Sequence, residues 1–238
     1  METISVVIPA YNEEDYIGAC LKSIDENRTP AVKEVLVIDN ASTDRTAEIA
    51  ARYPGVRVIR EQKKGLTRAR QCGLEHATGD ILAWADADCR VTKKWFMKIE
   101  KEFAKDPTLA SFSGPYRYYD GNHLVQWLAS STWVLFAMPT YWIVGFMVLG
   151  GNFAARRSAL MAIGGFDTSI EFYGEDTNIA RRLSKVGPVK FSLSFYNWSS
   201  ARRFESLGVL KISLIYAKNF LGEVFLKKPA TNTYVDVR

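Results

Sequence analysis

The stretch Ile81-Leu82-Ala83-Trp84-Ala85-Asp86-Ala87-Asp88-Cys89 decides the fold, because an apolar run ends there in two acids separated by one residue. A short apolar run that leads into small residues predicts a buried β-strand. Open α/β sheets bind ligands at the carboxyl ends of their strands, where these acids fall. Side chains at positions i and i+2 of extended backbone point the same way, so Asp86 and Asp88 could share one hard cation, which could hold a diphosphate. The local alternative is that Asp88 caps the next helix and that Asp86 is an ordinary turn acid.

The segments around this stretch alternate between strand and helix patterns. Runs rich in β-branched residues predict strands over residues 3–9, 35–39, 56–60 and 80–85. Helical patterns follow each strand: one after Glu14 with Ile17, Leu21 and Ile24 on one face, one that opens at Ser42 or Thr43, and two over residues 65–77 and 92–104. Such alternation implies parallel strands. The sequence therefore predicts a single-domain α/β fold with a mixed, mainly parallel sheet flanked by helices.

The composition is that of a globular protein. Hydrophobic residues make up 47% of the 238 residues and charged residues 24%, which is too apolar for an unfolded chain. The three cysteines, Cys20, Cys72 and Cys89, are odd in number and fall in predicted core elements, which argues against a disulfide framework and favours a reducing compartment. The N-terminal segment does not resemble a signal peptide, so we expect a cytoplasmic protein.

Positive charge is concentrated in the second part of the chain. Residues 1–150 carry 18 Lys and Arg against 19 Asp and Glu, a balance of −1, whereas residues 151–238 carry 13 against 7, a balance of +6. Such a segment can meet phosphorylated substrates or an anionic membrane surface. Nucleic acid is not an expected partner, because this segment has no block of Lys or Arg longer than two and no known nucleic-acid motif.

Residues 121–155 contain no Asp, Glu, Lys or Arg, and they hold three tryptophans and one tyrosine, Trp127, Trp133, Trp142 and Tyr141. The stretch is long enough to span a membrane, but Pro139 and the polar residues 130–132 interrupt it. A span, a protein core or subunit contact, and a surface element all remain open. We favour core together with a surface element that touches the inner face of a membrane or a lipid-bearing acceptor. The sequence does not predict the oligomeric state.

Other predicted strand ends carry residues suited to a nucleotide. After the first strand, Pro9 and Ala10 allow a close approach, and Tyr11 offers a flat ring on which a base could stack. After the second strand, Asp39 precedes a helix N-terminus and could accept a hydrogen bond from a pyrimidine imide; the local alternative is an Asx-turn with a helix cap. Arg70 on the third helix could reach a diphosphate at the same edge, and the alternative is a solvated helix charge.

These segments together resemble the family 2 inverting glycosyltransferases, which have the GT-A fold. Each motif is weak alone, but their order and spacing from residue 3 to about residue 187 are specific. The likeness rests on residues 5–14, 37–44, 69–73, 86–88, 150–157, 164–167 and 174–176.

The resemblance implies a metal-dependent enzyme that transfers one sugar from a nucleotide-diphosphate donor. A UDP-sugar is the favoured donor and a GDP-sugar the alternative, and the acceptor is a glycan or a lipid-linked molecule in cell-surface glycan or glycolipid synthesis. It also implies that Tyr11, Glu13 and Asp39 bind the nucleoside, with support from Arg70. Asp86 would then face the ribose or the sugar.

The resemblance further implies that Asp88, with Asp86, holds Mn²⁺ or Mg²⁺. In such enzymes an acid of a later Glu-Asp pair deprotonates the acceptor hydroxyl; Asp176 takes that place here, and Glu175 is next in line. The local alternative for Asp176 is a helix N-terminal acid that the helix dipole stabilises.

On this basis we expect three parts within the single domain over residues 1–238. Residues 1–110 would form a nucleotide-binding half, residues 111–200 an acceptor-binding and catalytic half, and residues 201–238 a C-terminal helical extension.

The chain departs from the family pattern at three places. Asn40 and Ala41 stand in the usual Asp-Asp-Gly-Ser motif, so its second acid is missing. Some relatives add a late histidine to the metal site, but the two histidines here, His76 and His123, both precede Asp176. The sequence therefore offers no third protein ligand of this kind. The Gln-x-x-Arg-Trp motif of processive synthases is absent after Asp176, which favours single-sugar transfer. Arg202 and Arg203 follow instead and could meet the diphosphate or an acceptor phosphate.

Two other classes of function remain alternatives at this point. One is a metal-dependent nucleotidyltransferase or phosphohydrolase, although residues 9–12 lack the Gly-rich phosphate loop that a nucleotidyltransferase usually carries after its first strand. The other is a non-catalytic nucleotide-binding or carbohydrate-binding protein, which would not need acids at both Asp88 and Asp176.

Overall fold

The structure is a computed structural model that describes residues 2–231. In chain order the elements are β1 (Ile4–Ala10), α1 (Ile17–Asn27), β2 (Val32–Asp39), α2 (Thr46–Ala51), β3 (Val56–Arg60), α3 (Leu66–His76), β4 (Ile81–Ala85), α4 (Lys93–Lys105), β5 (Ser111–Ser113), β6 (Tyr116–Tyr118), α5 (His123–Thr132), α6 (Met138–Val144), β7 (Asn152–Arg156), α7 (Arg157–Ala162), α8 (Glu175–Leu183), β8 (Val189–Phe191), β9 (Asn197–Ser199), α9 (Arg202–Leu207) and α10 (Val209–Leu221). Two π-helical segments, Trp133–Ala137 and Gly222–Leu226, follow α5 and α10.

A seven-stranded sheet in the order β3-β2-β1-β4-β7-β5-β8 forms the centre of the fold. Strands β1 to β4 run parallel to one another, and β7 runs antiparallel to both of its neighbours. The predicted mixed, mainly parallel sheet is therefore confirmed. Because β1, β2 and β4 end at the same edge, the residues that follow them meet there.

Helices cover both faces of this sheet. On one face α1 and α4 bury Ile17 and Trp95 against the strands. On the other face α3, α7 and α8 bury Leu74, Leu160 and Leu183. All residues of β1 and β4 are buried, which explains why these strands are near-continuous apolar runs rather than alternating ones. The predicted flanking of the sheet by helices is confirmed.

The predicted elements are present, with some shifted ends. β2 begins at Val32, earlier than predicted, because Val32 pairs with Ile4 of β1 although the first residues of β2 are not fully buried. The third and fourth predicted helices correspond to α3 and α4 within one residue at each end. α2 begins at Thr46, so the prediction that it opens at Ser42 or Thr43 is wrong.

The loops after β1 and β2 explain the late start of α2, because their side chains bind each other's backbone. Asn12 Oδ1 accepts a hydrogen bond from the Thr43 N–H (2.9 Å), and Ser42 Oγ accepts one from the Asn12 N–H (3.1 Å). Asp44 Oδ2 accepts a further bond from the Glu14 N–H (3.0 Å). Ser42 and Thr43 therefore hold the neighbouring loop in place instead of capping α2.

Residues 121–155, which carry no charged side chain, form helices and then β7. α5, the π-helical segment Trp133–Ala137 and α6 follow one another without a break. Pro139 lies at the start of α6, directly after the π-helical segment, and Gly145 ends that helix with φ of 81°. Within residues 2–231, no helix combines the length and the apolar character needed to cross a membrane.

Candidate active site

Asp86 and Asp88 follow β4 directly, at the sheet edge where β1 and β2 also end. Their carboxylate oxygens and the Cys89 Sγ all lie within 4.8 Å of one another. The Asp86 side chain is 37% exposed and the Asp88 side chain 13% exposed, so the pair lies at the base of an opening rather than on open surface. The structure thus places the two acids close enough to bind one cation.

The chemistry of these donors fits a hard divalent cation. Burial raises the pKa of Asp88 to about 7, although the Arg202 guanidinium opposes that rise. A divalent cation bound at Asp88 would offset the cost of burying the charge of this carboxylate. Burial and the two neighbouring acids also raise the pKa of the Cys89 thiol, so the thiol keeps its proton and is a poor ligand. Two carboxylates, completed by phosphate oxygens of a donor, match the ligands that Mn²⁺ and Mg²⁺ prefer.

Arg70 lies beneath the two acids as a buried cation. Its side chain is 2% exposed; Nη1 lies 2.7 Å from Glu175 Oε1 and Nη2 lies 3.8 Å from Asp86 Oδ1. The interpretation of Arg70 as a solvated helix charge is therefore wrong. Acidic side chains contact the guanidinium, and its direct contact with a donor stays a prediction. Arg70 instead connects the end of β4 to the start of α8.

Two glycines before β7 allow this buried pair to fit. A Cβ built on Gly150 would overlap the Arg70 guanidinium, and one built on Gly151 would overlap the Asp86 carboxylate. The Gly151 N–H donates to the Tyr116 hydroxyl (2.8 Å), which fixes this backbone in place. The sequence analysis used the glycine pair as part of a motif but gave it no role; its role is close packing of backbone over the acid and the arginine.

Glu175 and Asp176 begin α8, directly after Gly174, whose φ is 87°. Burial and the neighbouring Glu175 raise the pKa of Asp176 to about 7, and its Oδ1 accepts a hydrogen bond from the Thr177 N–H (2.7 Å). Burial also raises the pKa of Glu175, and Arg70 opposes that rise. Because an almost fully buried guanidinium stays protonated, it requires Glu175 as its counter-charge. Asp176 is therefore better placed than Glu175 to take up a proton near neutral pH.

A cavity of about 280 Å³ opens at the sheet edge where β1 and β2 end. Pro9, Ala10 and Tyr11 line it, together with the residue after β2, the start of α3 and the loop before it, and the loop before α8: Asn40, Lys64, Gly65, Leu66, Ala69, Glu171 and Phe172. The Lys64 Nζ lies 3.8 Å from the centre of the Tyr11 ring. A base that stacks on Tyr11 would have to displace this cation from the ring.

Asp39 and Glu13, both predicted to bind the nucleoside, are 3% exposed and do not line the cavity. Asp39 Oδ1 accepts a hydrogen bond from the Ser42 N–H (3.2 Å), as the Asx-turn alternative requires. Glu13 accepts two hydrogen bonds from Arg202 Nη2, at 2.7 and 2.9 Å. The structure therefore assigns both carboxylates local partners, and their contact with a nucleoside stays a prediction.

Asn40 has a role that the sequence analysis missed. Its Nδ2 donates to the carbonyls of Glu61 (3.3 Å) and Lys63 (2.8 Å), and its Oδ1 accepts from the Gly65 N–H (2.7 Å). The side chain thereby fixes the loop that forms one wall of the cavity. An aspartate could not donate the first two bonds, so the change from the usual acid has a structural reason.

Arg202 and Arg203, treated alike from the sequence, point to different places. Arg202 Nη2 lies 3.0 Å from Asp88 Oδ2, in addition to its bonds with Glu13. The Arg203 guanidinium lies over the Phe172 ring, 4.8 Å from its centre, on the loop that lines the cavity. Arg202 thus contacts one of the two acids after β4, whereas Arg203 contacts the loop before α8.

The family model named glycosyl transferase family 2 matches residues 5–164, which include nearly all of β1, strands β2 to β4, and the two glycines before β7. The chain belongs to glycosyl transferase family 2. It is 40% identical over 98 residues to glycosyltransferase AglE of Haloferax volcanii, covering 39% of this chain and 32% of that protein. It is 26% identical over 218 residues to the probable glycosyltransferase YdaM of Bacillus subtilis, covering 82% of this chain and 50% of that protein. The chain thus spans half or less of these two relatives.

Solved structures of the same fold include glycosyltransferases bound to nucleotides. The mannosyltransferase PcManGT from Pyrobaculum calidifontis, in complex with GDP-Man and Mn²⁺, superposes with a TM-score of 0.71 at 24% identity, over 95% of this chain and 64% of that one. Glucosyl-3-phosphoglycerate synthase from Mycobacterium tuberculosis, in complex with Mn²⁺, UDP and phosphoglyceric acid, gives 0.65 at 23% identity, over 95% and 78%. These likenesses establish the GT-A fold for this member of the family.

Proposed function

We propose that this chain is a metal-dependent inverting glycosyltransferase that moves one sugar from a nucleotide-diphosphate donor to an acceptor hydroxyl or phosphate. The observation that carries the proposal is the junction at Arg70, where one guanidinium meets Asp86 after β4 and Glu175 at the start of α8. A cavity lined by the residues after β1 and β2 opens at the same sheet edge. Such a transfer needs two metal-binding acids and a general base within reach of the same substrate. Family membership and the Mn²⁺ complexes of two fold neighbours also support it.

In the proposed reaction, the acceptor oxygen attacks the anomeric carbon from the face opposite the diphosphate. The bond from that carbon to the diphosphate oxygen breaks, and its electron pair leaves with the nucleoside diphosphate. The acceptor proton passes to Asp176. Since Asp176 Oδ1 already accepts from the Thr177 N–H, Oδ2 is the oxygen available for this proton. A single displacement of this kind inverts the anomeric configuration.

The remaining residues of the site position these groups. Asp86 and Asp88 would hold the metal, which supplies positive charge to the departing diphosphate when it is bound. Arg70 contacts Asp86 and Glu175 from below, and so links one metal-binding acid to the neighbour of the proposed base. Tyr11, Lys64 and Asn40 form the cavity wall on which the nucleoside would lie.

For the donor and the acceptor we propose a chemical class rather than a single compound. Fold neighbours bind GDP-Man in one case and UDP in another, and we keep a UDP-sugar as the favoured donor with a GDP-sugar as the alternative. A thermal-shift panel of nucleoside diphosphates, with and without Mn²⁺, would identify the base, because a ligand that binds the folded state raises its apparent stability.

Replacing Asp88 with Asn is expected to weaken Mn²⁺-dependent nucleotide binding by about 10–100-fold, because it removes a charged metal ligand, and even the loss of a group that orients a ligand costs that much. Calorimetry with UDP in the presence and absence of Mn²⁺ measures the effect. The control is Asp106→Asn, which removes an acid near the end of α4 whose Oδ1 bonds Thr108. Unchanged metal-dependent nucleotide affinity in the Asp88 variant would show that the metal does not bind at Asp88.

The helices near residues 123–144 and 209–226 expose large apolar side chains, which we call the apolar face. Each is between 52% and 85% exposed: Leu124, Trp127, Val134, Leu135, Phe136, Trp142, Ile143, Leu210, Leu214, Leu221, Phe225 and Leu226. α5 contacts α10, so the two groups adjoin. Four exposed lysines, Lys211, Lys218, Lys227 and Lys228, accompany the second group. We infer that this face contacts the surface of an anionic membrane, where a lipid-linked acceptor would be presented.

Flotation with anionic liposomes at low salt is expected to carry the protein into the lipid fraction, and high salt is expected to reduce binding. Each lysine near an anionic surface contributes about 1 kcal/mol, and Trp side chains favour the interface. The double variant Trp142→Ser/Ile143→Ser should bind less, whereas Met161→Ser, an exposed apolar residue on α7, should bind normally. If the protein stays in the soluble fraction at low salt, the apolar face does not bind the membrane and is instead a core or subunit contact.

A further inference from the structure

Arg202 bridges two acids at the site. Its Nη2 lies 2.7 and 2.9 Å from the Glu13 carboxylate oxygens and 3.0 Å from Asp88 Oδ2. The guanidinium also lies 4.5 Å from the centre of the Tyr16 ring. The Arg202 side chain is 20% exposed and the Glu13 side chain 4%, so water screens these contacts far less than it screens a surface pair.

A divalent cation and Arg202 would compete for the same carboxylate. Asp88 is 13% exposed, and its Oδ2 is already bonded to the guanidinium. Two cations held on one largely buried carboxylate repel each other strongly. A metal ion that uses Asp88 must therefore take it from Arg202, and the cost of that exchange reduces metal affinity.

We propose that Arg202 holds Asp88 as a stand-in cation and gives it up when the diphosphate of the donor arrives, so that metal binding depends on the nucleotide. This inference rests on the proposed transferase function. A metal ion alone offers Arg202 no new anion. A diphosphate offers the guanidinium oxygens in the paired geometry that arginine prefers, and it gives the metal further oxygen ligands.

The exchange needs no more than a side-chain movement. Asp120 fixes the backbone before α9, because its Oδ1 accepts from the Ala201 N–H (2.6 Å) and its Oδ2 accepts from the Ser200 hydroxyl (2.8 Å). Arg52, an exposed arginine that pairs with Glu48 away from the site, provides a control for the loss of one positive charge.

The test measures Mn²⁺ affinity with and without UDP, by electron paramagnetic resonance of free Mn²⁺, for the wild type and for Arg202→Gln, Arg52→Gln and Asp88→Asn. GDP replaces UDP if UDP does not bind. Arg202→Gln is expected to bind Mn²⁺ alone about tenfold more tightly, because a charge-assisted hydrogen bond no longer has to be broken. The factor by which UDP raises Mn²⁺ affinity should fall by a similar amount, and by linkage so should the factor by which Mn²⁺ raises UDP affinity.

Each outcome decides for or against the proposal. Arg52→Gln, which removes a positive charge from an exposed pair with Glu48, should keep the wild-type coupling between Mn²⁺ and UDP. An effect equal to that of Arg202→Gln would attribute the result to net charge and overturn the inference. Wild-type values in Arg202→Gln would also overturn it. If that variant does not fold because Glu13 loses its partner, the double variant Glu13→Gln/Arg202→Gln answers the same question. Wild-type metal binding in Asp88→Asn would instead contradict the proposed function.

Discussion

Replacing Asp176 with Asn is expected to lower turnover by about 10²–10⁴-fold while the fold and donor binding are retained, because general-base catalysis contributes about that much and an amide cannot take up the acceptor proton. The measurement is the initial rate of nucleoside diphosphate release with a saturating donor. Circular dichroism and calorimetric donor binding establish that the variant is folded and loaded.

The dependence of turnover on pH provides a second readout of the same residue. Burial and the adjacent Glu175 raise the pKa of Asp176 to about 7. The carboxylate form, which accepts the proton, therefore predominates above that pH, so turnover should rise with pH through about 7 and level off beyond it. The Asp176→Asn variant should lack this rise.

The control for this experiment is Asp25→Asn on α1, whose carboxylate is 58% exposed and pairs with Arg28. It makes the same chemical change away from the site and should keep wild-type turnover and pH dependence. Equal turnover in wild type and Asp176→Asn would move the base elsewhere, with Glu175 next in line. Loss of folding would favour the role of Asp176 as a helix N-terminal acid.

Replacing Arg70 with Met is expected to lower the free energy of unfolding by about 3–5 kcal/mol at pH 8, because removing one partner of a buried ion pair leaves uncompensated charge. The charge left behind is Glu175, whose side chain is 10% exposed. Urea denaturation measures the loss. Arg52→Met, which breaks an exposed pair with Glu48, should cost less than about 1 kcal/mol.

The Arg70 variant should also change how stability depends on pH. Without the guanidinium, the pKa of the buried Glu175 rises further above its value in the unfolded chain. The folded state then holds a proton that the unfolded state has lost. The loss of unfolding free energy relative to the wild type is therefore small in acid and grows as pH rises through the pKa of Glu175 in the folded state. The double variant Arg70→Met/Glu175→Gln should recover part of the stability at pH 8. A double variant no more stable than Arg70→Met would assign the loss to packing rather than charge.

The sheet and the placement of Asp86 and Asp88 could be predicted from the sequence because the signals are local. Residues 81–85 are apolar in a run, since β4 is buried on both faces, and the acids come directly after them. The contacts that organise the site are not local. Arg70 meets Glu175 across 105 positions, and Arg202 meets Glu13 across 189. Nothing in the pattern around either arginine specifies its partner, so both were predicted to meet phosphate.

The loop residues show the same limit on a smaller scale. Ser42 and Asn40 are residues that favour caps and turns, and the local pattern predicts those roles. In the structure Ser42 bonds a loop thirty positions away, and Asn40 holds the segment from Glu61 to Gly65. A polar side chain takes whichever donor or acceptor the fold brings near, and that choice is made by strand order rather than by neighbouring residues.

β7 has a consequence for how this family can vary. It lies between β4 and β5, so a strand from beyond residue 150 completes a sheet begun by the first 85 residues, and its leading glycine packs on Asp86. A boundary near residue 110 therefore does not divide the chain into folding units. Recombination between two relatives is expected to preserve the packing at Asp86 where β4 and β7 come from the same parent, because the glycine before β7 and the acid after β4 must fit each other. The two parts of the chain are expected to evolve as one unit rather than as exchangeable modules.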